Sequence, residues 1–319
     1  MTNKEHFKIF SQQHEALLPF SLTYGWWYKV VANSWDVAVV LKNEEAVAIW
    51  PYFIRKKGPW EVIAPAYFTP YAGPFLTYPK GQKQANKISY EHKMHQELLA
   101  QLPKVAEIEQ QFQLNFKNGL VFRWNGFLEQ INYTYLLDLS DTEEVLWSNL
   151  RENIRRQIRK AEKGINLHKK DNAPALLEEL FKDTFKEKGT TYPIGDNGII
   201  KRLVGYIEKQ QKGNILFASE EDGEIHAGIA CVYDHQTAHY LIGGSAEGYR
   251  NTAATSLLMW HQILAAKAAG CRFFNFEGSV IPSVEKFLRG FGGTLQTVHR
   301  IHKINSKSLN LVQKAKNTI

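Results

Sequence analysis

The chain has 319 residues, 44% hydrophobic, 22% charged and 13% aromatic. That length favours two units over one, and a chain so composed can bury a core, which excludes a disordered or fibrous protein. Two cysteines, Cys231 and Cys271, exclude a disulfide scaffold, and no Cys/His cluster has zinc spacing. Net charge is +7, but Arg151 to Lys170 holds eight basic residues against two acidic ones. The excess is therefore one local feature, not a general attraction to nucleic acid. Met1 to Phe20 carries Lys4, Glu5, Lys8 and Glu15 and no apolar signal core, and no apolar run is long enough for a bilayer span. The expectation is a cytoplasmic protein.

In chain order, a helix is predicted over Lys4 to Leu17. Strands follow at Asp36 to Leu41 and Ala46 to Ile54, turned through Lys42-Asn43-Glu44-Glu45, with a short one at Trp60 to Ile63. Ala64 to Pro79 is too rich in Pro, Tyr and Gly to be regular; its Tyr67, Phe68 and Tyr71 are packed cover or part of a substrate cleft. Glu91 to Val105 reads as a helix. Phe112 to Phe116 and Leu120 to Trp124 read as a hairpin around Asn118-Gly119, and Tyr133 to Leu139 as a strand.

A basic helix comes next. Asp141 or Thr142 caps it, and Leu146, Leu150, Ile154, Ile158 and Ala161 form one apolar stripe. Arg151, Arg155 and Arg159, widened by Arg156, Lys160 and Lys163, form a row that is either a solvated face or an anion site; Gly164 ends the helix. Helices are predicted over Ala173 to Lys188 and Asn197 to Gln211, separated by Gly189 to Asp196. Strands follow at Ile215 to Ser219, Ile225 to Tyr233 and Thr237 to Gly243, then a helix at Asn251 to Ala269. A strand at Arg272 to Glu277, a short helix at Ser283 to Leu288 and a strand at Thr294 to Lys303 close the chain. The corner Gly243-Gly244-Ser245 before Asn251 and Thr252 aims backbone N–H groups at one spot, which suits a phosphate.

Three antiparallel strands, helix, strand, helix, strand is an order that GNAT-type acyltransferase domains follow. Tyr249-Arg250-Asn251-Thr252-Ala253-Ala254-Thr255 resembles the GNAT acetyl-CoA motif, with Ala253 and Thr255 where glycines are usual. Phe274-Asn275-Phe276-Glu277-Gly278-Ser279, with Phe287-Leu288-Arg289-Gly290-Phe291-Gly292 after it, resembles the closing motif of the FemABX-like GNAT proteins. Asn153 to Gly164 resembles the Arg-rich helix that opens their second domain. The hairpin Asp36 to Ile54 echoes Ile215 to Tyr233. The resemblance thus implies an α+β fold of two GNAT-like domains in FemABX arrangement, a degenerate one over 1–140 and a second over 141–319.

The implied activity is N-acyl transfer to a small-molecule or peptide amine, with acyl-CoA as donor, acetyl-CoA or a longer chain. Aminoacyl-tRNA, for a cell-wall precursor, is the alternative, and a binding module without catalysis is the rival from another class. Glu277 is the candidate base and Ser245 the oxyanion donor. Gly243, Gly244, Arg250, Asn251, Thr252, Ala253 and Thr255 would hold the coenzyme. Tyr67, Phe68, Tyr71, Trp124, Tyr192, Arg155, Arg159 and Arg289 would line the substrate cleft, which is expected between the domains. Phe287 stands near the usual place of a proton-donating Tyr, for which Tyr192, Tyr249 and Tyr71 are replacements. His92, His95, His299 and His302 lack partners of metal type, so no metal is expected. The basic helix could also touch anionic lipid.

Overall fold

The structure is a computed structural model that describes residues 1–187, 192, 194–195, 198–221, 223–278 and 281–316. The chain divides into two compact units, Met1–Asn132 with Thr297–Ile319, and Tyr133–Gln296. The expected division at 140/141 differs from this at both crossings. The chain enters the second unit inside one strand and returns inside another, and its C-terminal segment belongs with the first unit. No helix among the described residues is long and apolar enough to cross a membrane.

In the first unit, α1 (Asn3–Gln13) opens on a capping box between Thr2 and Glu5. After the short α2 (Tyr24–Trp26), β1 (Trp35–Lys42) and β2 (Glu45–Lys57) form a hairpin whose turn places Asn43 and Glu44 at positive φ. β3 (Trp60–Ala64) and the short β4 (Phe75–Leu76) both pair antiparallel with β2. α3 (Gln84–Gln101) then crosses over, so β5 (Glu107–Gln111) returns parallel to β3. α4 (Leu120–Trp124) precedes β6 (Leu128–Asp138), which carries the chain out. The hairpin expected at Phe112 to Trp124 is therefore absent. Leu120–Trp124 is helical, which turns Val121 and Phe122 inward, and Phe122 packs edge-on to Trp50 and tilted against Phe112. Trp50, Phe112, Phe122, Met94 and Leu98 centre this core.

In the second unit, Thr142 caps α5 (Glu143–Asn149), and α6 (Glu152–Ala161) follows. The expected single basic helix is broken at Leu150–Arg151, both extended, where the Arg151 N–H donates to the Gly290 carbonyl at 2.9 Å. The predicted stripe from Leu146 to Ala161 is nonetheless wholly buried, because both helices turn it inward. β7 (Asn166–His168), α7 (Ala173–Glu187) and α8 (Ile199–Gln210) lead into the antiparallel β8 (Gly213–Ser219), β9 (Ile225–Tyr233) and β10 (Thr237–Ser245). Lys188, Asn197 and most of the expected break Gly189 to Asp196 lie outside the described residues, as does Ser279. α9 (Ala254–Ala268) packs on β8 and β9, and α7 packs on β10. β11 (Phe273–Asn275) lies between β10 and β6, parallel to the first and antiparallel to the second. α10 (Pro282–Leu288) and β12 (Thr294–Ile304) follow. In the first unit, β12 pairs with β5, and α11 (Lys307–Lys316) ends the described chain.

Candidate active site

The second unit's sheet opens between β10 and β11. Their parallel pairing covers only Thr237–His239 against Phe273–Asn275. β10 then continues along β9 to Ser245, while the Phe276 N–H turns away to the Tyr135 carbonyl at 3.0 Å. The register of β10 on β9 slips between Tyr240 and Ile242, so Leu241 has no partner in that ladder. Such a bulge breaks the hydrogen-bond row and presents backbone to a ligand.

The turn after β11 is built by Asn275, which is fully buried. Its Oδ1 accepts from Thr134 Oγ1 at 2.6 Å and from the Glu277 N–H at 2.9 Å. Glu277 adopts the left-handed conformation, φ 55°, that side chains seldom take. Gly278 follows at φ 65°, where a Cβ would overlap the Tyr133 carbonyl, so only glycine fits. The backbone is thus bent to place one carboxylate at the apex of the opening.

That carboxylate belongs to a chain of three groups, of which His239 is buried and Asp234 and Glu277 are mostly so. Glu277 Oε1 lies 2.5 Å from His239 Nδ1, and His239 Nε2 lies 2.9 Å from Asp234 Oδ2. Asp234 Oδ1 accepts the Gln236 and Thr237 N–H groups at 3.0 and 2.8 Å. Burial by itself disfavours the imidazolium, but Asp234 and Glu277 outweigh it and hold His239 up at about 9. Burial likewise raises Asp234, yet the His239 charge and these hydrogen bonds leave its carboxyl below the ordinary carboxylate range. Glu277 Oε2 is buried without a partner among the described residues.

Ser245 stands elsewhere. It lies six residues beyond His239 on β10, roughly 20 Å at about 3.3 Å per residue. Its hydroxyl is 2.9 Å from that of Thr255. Here the Arg250–Thr252 turn and Ala253, at φ 62°, lead into α9. Thr252 Oγ1 donates to the Tyr249 carbonyl at 2.6 Å. Lys160 Nζ donates to the Asn251 carbonyl at 3.4 Å, and Ser256 Oγ to Gln157 Oε1 at 2.8 Å, which ties the basic α6 to this corner. Side chains at Gly243 and Gly244 would strike the Tyr240 hydroxyl and the Leu180 backbone, so internal packing already accounts for both glycines.

The other expected site residues are dispersed. Arg155 bonds Glu152 at 2.7 Å, Arg159 sits over the Trp147 ring at 5.5 Å, and Arg289 pairs with Glu285 at 2.9 Å. Tyr192 packs on Phe181 and Phe185, and burial pushes its hydroxyl up to about 12. Tyr249 stacks on the buried His226 ring and donates to Glu224, and Phe287 packs on Phe291. In the first unit, Tyr71 is buried in the core, Phe68 has φ 54°, and Tyr67 leans on Phe53. Trp124 is 64% exposed, edge-on to His92. Glu107, Glu109 and His302 do converge within 4.8 Å, but Lys57 and Arg300 already pair with the two carboxylates. Asp234, His239 and Leu241 escape the sequence, because only the register of β10 on β9 and β11 brings them to Glu277.

Residues 148–281 match the family profile described as acetyltransferase (GNAT) domain. No curated protein matches the sequence. Among solved structures, the chain is similar to a crystal structure of FemX, with TM-score 0.67, 14% identity and 98% of each chain covered. It is also similar to a tandem GNAT protein from the clavulanic acid biosynthesis pathway, with TM-score 0.56 and 8% identity over 94% of this chain and 93% of that one. A third is the C-terminal domain of a putative lysylphosphatidylglycerol synthetase from Agrobacterium fabrum, with TM-score 0.54 and 12% identity over 99% and 96%. At these identities the likeness is one of fold. Residues 148–281 thus carry a GNAT domain, and the chain as a whole has the fold of FemX.

Proposed function

We propose that the second unit transfers an acyl group to an amine, with Glu277 as the base and acyl-CoA as the donor. The observation that carries this is the opening between β10 and β11, with a carboxylate oxygen at its apex that is buried and without a partner among the described residues. The donor supplies the activated carbonyl. Leu241, released from the β9 ladder, offers the backbone dipole that steadies a developing oxyanion, and Glu277 Oε2 takes the amine proton. Lys160, the Thr255 and Ser245 hydroxyls and the start of α9 form a corner that suits phosphates. Ser245 then serves that corner rather than the carbonyl. The corner lies roughly 20 Å along β10 from the base, which suits a donor with a long arm between its phosphates and its acyl group.

The Arg155, Arg156, Arg159, Lys160 and Lys163 row, tied to the same corner through Lys160, supports aminoacyl-tRNA as the second reading. Thermal melting with acetyl-CoA, longer acyl-CoAs and free coenzyme A tests the first, since a ligand in excess of its Kd raises the midpoint. No rise with any of them removes acyl-CoA. Titration with aminoacylated and bare tRNA at several salt concentrations tests the second, which requires an affinity that falls as salt rises.

A further inference from the structure

We propose that Asp234 and His239 are positioning residues that hold Glu277 as a carboxylate short of one proton, so that the acceptor is captured as a primary ammonium ion. The proposal rests on Glu277 being the base, and it adds a substrate charge and a proton count. Each of the two N···O contacts in the Asp234–His239–Glu277 chain needs one proton. Two protons shared by an imidazole and two carboxylates leave a net charge of −1, wherever the protons sit. The hydroxyls and the thiol beside it do not cancel it. Burial holds the Tyr233 and Tyr240 hydroxyls neutral, and burial with the nearby Asp234 pushes the Cys271 thiol up to about 11.

A mostly buried single charge, with an oxygen that has no partner among the described residues, is costly unless something supplies both a donor and a positive charge. An ammonium group does both, whereas a neutral alcohol supplies only the donor. The proton step then balances. One N–H bond of the ammonium breaks, one O–H bond forms at Oε2, the amine regains its lone pair, and the three-group chain becomes neutral. His239 keeps both ring protons throughout, so it steers Glu277 without entering the transfer.

The test is nitrogen NMR of the full chain carrying 15N-labelled histidine, with n-butylammonium and n-butanol as probes. The expected result has both His239 nitrogens protonated at pH 7 and its midpoint lowered by about one pH unit or more in Glu277→Gln. Butylammonium shifts the His239 signals saturably, butanol does not, and Glu277→Gln abolishes the response. A neutral His239 at pH 7, or equal responses to the two probes, overturns the proposal. Asp234→Asn, read at the same His239 signals, supplies a second variant should Glu277→Gln fail to fold. Because the readout needs no acyl donor, failure to bind any acyl-CoA leaves these outcomes informative on their own.

Discussion

The two units handle the same strand order in opposite ways. In each, antiparallel strands precede a crossover helix and a returning parallel strand: β1-β2-β3, α3, β5 in the first, and β8-β9-β10, α9, β11 in the second. In the first unit the space beside the returning strand is filled by the chain itself. The Ala72 N–H bonds the Gln111 carbonyl at 2.9 Å, and Gln111 and Gln113 side chains hold the Pro70 and Pro74 carbonyls at 3.1 and 2.9 Å. In the second, β10 and β11 part after three residues and leave a carboxylate oxygen that has no partner among the described residues. One strand order thus yields a packed core when a proline-rich loop closes it and a candidate reaction site when nothing does.

That contrast is open to test. Glu277→Gln should reduce acyl transfer by about a hundred- to ten-thousandfold, the usual range for a lost general base. Phe112→Ala, under the closing loop, should cost about 3–5 kcal/mol of stability in chemical denaturation, whereas donor binding by the second unit stays unchanged. Gly278→Ala should lower stability by about 1–3 kcal/mol or more, because its φ and the Tyr133 carbonyl both oppose a side chain.

The units should also respond to pH with opposite sign. Glu107 in the first, although burial alone would raise it, is held down at about 2, chiefly by Lys57, with Gln313 and His302. A depressed acid stabilises above its ordinary value of 4.5, and that stability fades as pH falls from there toward 2. His239 in the second is raised to about 9, so its contribution is whole below its ordinary 6.5 and fades as pH rises through 9. Melting midpoints across pH for Glu107→Gln and His239→Gln check both: the first should flatten the acid limb, the second the alkaline limb. Smallest of all, Trp124→Ala should move stability by less than about 0.5 kcal/mol, since that ring is mostly exposed.

Much of this was legible beforehand. The stripe from Leu146 to Ala161 is buried as its spacing requires, because helical periodicity depends only on neighbours three and four residues apart. The β9–β10–α9–β11 order and the place of Glu277 just beyond β11 follow from alternation and turn residues in the same local way. The short apolar run Leu120–Trp124 fits strand and helix equally, and only the contact of Phe122 with Trp50 decides between them.

Local pattern, then, determined the elements, their order and one of the three groups at the apex. Tertiary structure alone decided the rest: that His239 faces Asn275 in the register, that Asp234 reaches it from the preceding turn, that Leu241 falls on the bulge, and that Ser245 lies far from the base. The reason is physical. Spacing along a strand is set by the backbone, but which residue stands opposite which is set by how whole strands pack, and a site made of pairs across strands exists only once they do.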